Sequence, residues 1–245
     1  MLKTIKLYQG KVVLQFDDET HRFFHEDGTP IKNSVSGITG VVDKSGPLMA
    51  WAVNMMGEYL IENWSLKKVK TETAKIQLIF DAKKNYRWAK KEAMDIGTAI
   101  HEWIEQYIKG KKPALPEEER TRNGVLAFMG WVKEHKVKFL ESEKIVYSRR
   151  YDYPGILDAI ADIEKKRYVI DFKSSRGIYN EMRYQLAAYQ LAYEEEMGKC
   201  IDGRIIVKLG KEDGDFEARE IDGYQQDKRA FLAALTIKQR ENELK

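Results

Sequence analysis

The sequence predicts a mixed α/β protein in which a central mixed β-sheet is flanked by helices, with an N-terminal β-hairpin and a helical lobe added. Two observations carry that expectation. A compact run of strand-like segments between about Glu141 and Leu209 is interrupted by a single helical stretch, and long helical stripes precede and follow it. With 245 residues, 43% hydrophobic and 33% charged, the chain is long enough for one large domain or for a core with an added lobe.

The elements run in order along the chain. Lys11-Val-Val-Leu-Gln-Phe16 and His21-Arg-Phe-Phe-His25 read as short strands, and Asp27-Gly28 is a turn signal. Ser34 to Ile38 reads as a loop or short extended piece. Gly46-Pro47 opens a helix through Trp51, Met55 and Tyr59, because proline suits a first helical turn. Ile76, Ile79, Phe80, Tyr86, Ala89 and Met94 give a broken helical stripe from about Thr73 to Ile108, with Gly97 as a candidate interruption. Lys109 to Pro116 is a linker or loop. A further helix is expected from Glu118 to Phe139. Three strands, a helix from about Glu181 to Met197, strands at Gly203–Leu209 and Asp215–Ile221, and a helix from Gln225 to Glu243 complete the chain. The expected division is an accessory lobe at 1–60 and a core at 61–245.

Composition excludes several function classes. The single cysteine, Cys200, rules out an intrachain disulfide and a four-cysteine zinc or iron–sulfur site. No apolar run approaches a membrane span, the N-terminus lacks a signal-peptide core, and the expected location is cytoplasmic. There is no phosphate-binding Gly-x-x-x-x-Gly-Lys-[Ser/Thr] loop, hence no motor of that type. The net charge of +3 is compatible with nucleic-acid binding without requiring it.

The chemistry concentrates between Gly155 and Lys173. Asp158 and Asp171 each follow an apolar run on consecutive strands, and Lys173 shares a strand face with Asp171. Two carboxylates that can hold a hard cation, beside an ammonium, suit metal-assisted attack on a phosphodiester. An isolated Asp-x-Lys also suits a surface ion pair. Gln185 and Tyr189 lie four apart on one helix face, and His101 lies upstream on a predicted helix.

Gly97-Thr98-x-x-His101, Gly155-x-x-Asp158, Asp171-x-Lys173 and Gln185-x-x-x-Tyr189 together resemble the PD-(D/E)XK nuclease superfamily. The likeness is to its RecB-type and phage-type exonuclease branch, and it is specific from about Gly97 to Tyr193. It implies a restriction-endonuclease-like core and a Mg²⁺- or Mn²⁺-dependent exonuclease acting on single- or double-stranded DNA with free ends. The setting would be recombination, repair or phage DNA processing in a bacterial, archaeal or phage-encoded system, with a single-strand annealing or binding protein as a companion. The resemblance also implies roles. His101, Asp158, Asp171 and the Phe172 carbonyl would hold metal, and Lys173 would act on the attacking water and the phosphate charge. Gln185 would fix the phosphate or Lys173, Tyr189 would brace its helix, and either Glu141 or Glu143 would supply a further acid. Ser174, Ser175, Arg176, Arg183, Tyr184, Ser36 and Trp51 are candidate DNA contacts, as are the basic pairs Lys67-Lys68, Lys83-Lys84 and Arg149-Arg150. An endonuclease on the same core and a non-catalytic nucleic-acid binding module are the alternatives.

Overall fold

The computed structural model of the chain describes residues 2–64 and 69–244. The Lys67-Lys68 pair lies outside the described residues. Two compact units are present: 2–42 with 100–244, and 43–99.

The first unit is built on a five-stranded mixed sheet, β4 (Lys138–Ser148), β5 (Tyr153–Ile163), β6 (Lys166–Lys173), β7 (Gly203–Leu209) and β8 (Phe216–Glu220), in that spatial order. Within this sheet β6 and β7 run parallel and the other neighbours antiparallel. The parallel pair is joined by the crossover helix α5 (Asn180–Met197), as a parallel connection requires. One face of the sheet receives α5 and the C-terminal helix α6 (Tyr224–Glu243), with Ile160, Val169, Leu186, Tyr189, Ile206 and Phe231 in the shared core. The other face receives α4 (Glu119–His135). Phe172 points there, its ring 5.3 Å from that of Phe128 and 5.8 Å from that of Trp131. Strand alternation therefore sends Phe172 into the α4 layer and its neighbours Asp171 and Lys173 toward α5.

The expected helix from Glu118 to Phe139 ends earlier, at His135. Lys136 adopts a left-handed conformation (φ 49°) that closes it, and Val137 and Phe139 pass to the strand side of the turn. The stretch from Ser34 is not extended. Ser34 Oγ accepts a hydrogen bond from the Gly37 N–H and caps the short helix α1 (Val35–Thr39).

The N-terminal segment forms a three-stranded antiparallel sheet, β1 (Leu2–Leu7), β2 (Val12–Asp17) and β3 (Arg22–His25), rather than a lone hairpin. It belongs to the same unit as the large sheet, so the expected boundary at residue 60 is not where the chain divides. The reason is packing: Leu7 and Leu14 bury against Tyr147 of β4, and the Tyr8 hydroxyl donates to the Tyr147 carbonyl at 2.8 Å. Ile5 and Val12 pack around Leu7 and Leu14, and β4 covers this face of the small sheet through Ile145 and Tyr147.

The second unit consists of α2 (Ser45–Trp64) and the larger part of α3 (Glu72–Ile108), whose last turns belong to the first unit. Gly97 does not interrupt α3. Asn85 Nδ2 donates to the Met55 carbonyl at 3.2 Å, and Trp51 meets Tyr86 edge to face. Val53, Ile61, Trp64, Phe80 and Trp88 remain more than half exposed. Among the described residues no helix is long and apolar enough to cross a membrane.

Gly155 admits two neighbours that a side chain would displace. A Cβ there would lie 2.7 Å from Tyr189 Cε1 and 2.7 Å from Val35 Cγ2. Gly155→Ala is therefore expected to destabilise the protein by about 1–3 kcal/mol, the cost of overpacking a fitted core. Urea unfolding should show a lower midpoint with an unchanged slope.

Candidate active site

The site forms where two strands part. β5 and β6 pair from Ile163↔Lys166 only as far as Ala159↔Ile170. Beyond that point the Phe172 N–H donates to Asp158 Oδ2 at 2.7 Å instead of continuing the ladder. Asp158 and Asp171 thus stand at the mouth of the opening, opposite one another. On the other side of β5 the flanking pairs Ser142↔Ala159 and Lys144↔Leu157 put Glu143 across from Asp158. The three carboxylates thus occupy adjoining positions on three neighbouring strands.

The end of α3 supplies the imidazole. Ile100, Trp103 and Ile104 are buried, and Trp103 Nε1 donates to the Ala114 carbonyl at 2.9 Å. That anchor leaves His101 half-buried with Nδ1 3.8 Å from Asp158 Oδ2. One ligand atom each from His101, Glu143 and Asp158 falls within 4.8 Å of the others.

The two candidate acids of β4 are placed differently. The Tyr193 hydroxyl donates to Glu141 Oε1 at 2.9 Å, and Lys144 Nζ lies 2.6 Å from Glu141 Oε2. Glu141 is thereby committed. A one-residue register shift between Phe139 and Glu141, and a left-handed Glu143 (φ 47°), present Glu143 to Asp158 instead. Burial pushes the Glu143 carboxyl up to about 8, with Asp158 and Glu105 adding to the shift.

Asp171 is fully buried. Lys173 Nζ donates to its Oδ1 at 2.8 Å and lies 2.7 Å from Oδ2, which receives no well-directed hydrogen bond. Burial raises the Asp171 pKa, and the Asp158 charge adds to that while the Lys173 ammonium opposes it. For Lys173 burial acts against the charged form, but Asp171 and Asp158 outweigh it and hold the ammonium above its usual range. Lys173 Nζ also donates to Gln185 Oε1 at 3.4 Å, and Gln185 Nε2 donates to the Tyr189 hydroxyl at 2.8 Å. Burial raises the Tyr189 phenol well above its ordinary value, so it stays neutral.

Sequence reasoning named His101, Glu141, Glu143, Asp158, Asp171, Lys173, Gln185 and Tyr189, but the groupings differ from the expectation. Asp171 is engaged by Lys173, and Glu143 takes its place in the cluster that could hold an ion. The donor set suits a hard divalent cation: two carboxylates and one imidazole converge. Phe172 contributes its backbone N–H to the site, where it holds Asp158.

The candidate DNA contacts divide. Ser174, Ser175 and Arg176 follow Lys173 and line a hollow closed by residues 208–217. Ser36 is exposed on α1 and its hydroxyl lies 3.3 Å from that of Ser34. Arg183 is a structural group: Nε pairs with Asp227 at 3.3 Å and Nη2 donates to the Asp222 carbonyl at 2.8 Å. It thereby shares Asp227 with the buried Arg204, an arrangement with no sequence signature. Tyr184 packs against the α5 core. Trp51 belongs to the second unit. Arg149 and Arg150 lie over the rings of Tyr8 and Tyr151.

No family model matches the chain, and no curated protein matches it. Solved structures do match. One, titled "Crystal structure of SSO0001", has 18% sequence identity and a TM-score of 0.29 over 46% of this chain and 56% of that one. The chain thus covers little more than half of the length of that protein, and the overlap is too small to carry an argument.

The raised Glu143 carboxyl has a stability consequence. The folded state binds this proton more tightly than the unfolded chain does, so stability falls as pH rises from about 4.5 through about 8. Thermal unfolding of the cation-free protein should show that decline, and Glu143→Gln should flatten it, raising Tm most above pH 8. Adding millimolar Mg²⁺ or Mn²⁺ should raise Tm in the wild type and much less in the variant.

Proposed function

We propose that the chain is a divalent-cation-dependent deoxyribonuclease with a restriction-endonuclease-like core of the PD-(D/E)XK type, acting from DNA ends. The observation that carries this reading is the row Glu143, Asp158, Asp171 on three adjacent strands, with Lys173 on the same face. A row of acids without an equal number of cations is costly to fold, and cation-assisted phosphodiester hydrolysis is the chemistry that uses such a row. The order of the motifs along the sequence supports the same assignment.

Glu143, Asp158 and His101 would hold the cation, Mg²⁺ or Mn²⁺. When bound it would polarise the phosphoryl oxygen and lower the pKa of an attacking water. The protein's own groups do the rest. The Phe172 N–H fixes the Asp158 carboxylate in one orientation. Asp171 holds the Lys173 ammonium at the mouth of the opening, where it would neutralise charge building on the phosphate. Tyr189 receives the Gln185 amide N–H and so turns Oε1 toward Lys173. A lysine held on two sides loses little mobility when the phosphate arrives, and such positioning is a large part of catalysis in a preorganised site.

The test is digestion of end-labelled linear DNA and covalently closed circular DNA with Mg²⁺ or Mn²⁺, against EDTA. Linear DNA should be degraded and closed circles left intact. Lys173→Ala and Asp158→Asn should each lower the rate by at least about 10²–10³-fold, the scale of one lost electrostatic stabiliser, with the fold checked by circular dichroism. Cleavage of closed circles would select the endonuclease reading. Binding without cleavage under every cation would select the binding module.

A further inference from the structure

A second cavity adjoins the proposed catalytic groups on the side away from Lys173. It has a volume of about 270 Å³ and lies among β2, β3, α1, the start of β5 and α5. Its wall shares one residue with the catalytic chain. The Tyr189 ring lines the cavity, while its hydroxyl holds Gln185, which reaches Lys173.

The lining states what chemistry fits. Phe16 and Phe23, each only 5% exposed and packed on one another with ring centroids 4.5 Å apart, form the apolar back of the cavity, and the exposed His21 stands 6.0 Å from Phe16 at the rim. Ser34 and Ser36 place two hydroxyls 3.3 Å apart at the edge. Ser34 Oγ already accepts the Gly37 N–H, and the two hydroxyls hydrogen-bond to one another, so Ser36 offers its remaining acceptor capacity, and its donor as well when Ser34 donates between them. Among the described residues no Lys, Arg, Asp or Glu lines the cavity, so a phosphate or a cation has no charged partner there. The volume is below the ~300 Å³ at which pockets for drug-sized ligands begin. A planar, neutral group with an aromatic face and a hydrogen-bonding edge meets all of these conditions.

We infer that this cavity accepts one unstacked nucleobase of the DNA strand whose phosphate lies at Lys173. The inference rests on the nuclease reading for its ligand. Stacking on the exposed His21 imidazole, with the rims of Phe16 and Phe23 beneath, holds the base without selecting its identity, since every base presents a π-face. The Ser34 and Ser36 hydroxyls meet its edge. Gly155 is then required twice over: its lack of a side chain lets Tyr189 and Val35 close around the floor of the cavity as well as around the core. A base seated there fixes one nucleotide against Tyr189 and so sets the strand register at Lys173.

The test is equilibrium binding of a fluorescein-labelled single strand to the full chain in EDTA, followed by anisotropy, with one abasic residue walked along the strand. One position should weaken binding about 5- to 100-fold, the range that a single base–aromatic stack supplies, and the others should change it little. Ser36→Trp, which fills the cavity, should weaken the intact strand by a similar factor and abolish the position dependence. His21→Ala, an exposed substitution, should do so in part. Uniform weakening at every position, wild-type binding by Ser36→Trp with its Tm unchanged, or no binding of the strand at all would overturn the inference. So would displacement of free deoxyadenosine by Ser36→Trp without any positional effect on the strand, which marks a site for the free nucleoside instead. Cleavage with Mg²⁺ is measured in parallel. Position-dependent binding without cleavage sinks the nuclease reading and leaves the pocket, whereas cleavage without position dependence does the reverse.

Discussion

The burial of Asp171 is the constraint on which the rest of the site depends. A carboxylate with no exposed surface is expensive unless it is paired. Lys173 is that pair, and its position dictates the contacts around it. Gln185 holds Lys173, Tyr189 holds Gln185, and Tyr189 can reach the sheet only because Gly155 has no side chain. Val35 closes on Gly155 from α1, and α1 begins where it does because Ser34 caps it. One unbroken chain of contacts thus runs from a charge on β6 to a five-residue helix more than a hundred residues earlier in sequence. A change at any link should be felt at Lys173.

That chain also explains which parts of the molecule could be read from the sequence. The order of elements was legible because apolar periodicity is local: the stripe on α3, the turns around β5 and β6, and the crossover at α5 each announce themselves within a dozen residues. The neighbourhood of Asp171 and Lys173 was legible because residues two apart on a strand share a face. What could not be read depends on contacts between distant segments. The N-terminal strands look like a separate lobe until Leu7 and Leu14 are seen to need Tyr147. Arg183 looks like a DNA contact until Asp227 and the Asp222 carbonyl claim it. The short α1 rests on a single cap and lies below the length at which periodicity can register.

Glu141 and Glu143 show the same limit at the scale of one residue. Both lie in β4, two residues apart, and nothing in their identity separates them. A register shift after Phe139 and one left-handed residue decide the matter, turning Glu141 to Tyr193 and Lys144 and leaving Glu143 opposite Asp158. Bulges of this kind re-aim side chains beside active sites, and they are invisible to a pattern that assumes strict alternation.

The three acids do not bear the same cost. Asp171 has its lysine, and Asp158 has the Phe172 N–H and the nearby imidazole. For Glu143 the nearby charges are mainly other carboxylates, and Lys109 is a lesser influence. The strain of the row is therefore concentrated on its outermost member, on β4, which is also an edge strand of the large sheet. An edge position lets that side chain relax or take up a proton without breaking the central strands. Under the proposed function the same asymmetry separates two tasks. Asp171 and Lys173 hold one another at the mouth of the opening, while Glu143 on the edge strand would meet the cation. The paired acid thus stands on an inner strand, and the carboxyl whose charge is least compensated on the outermost one.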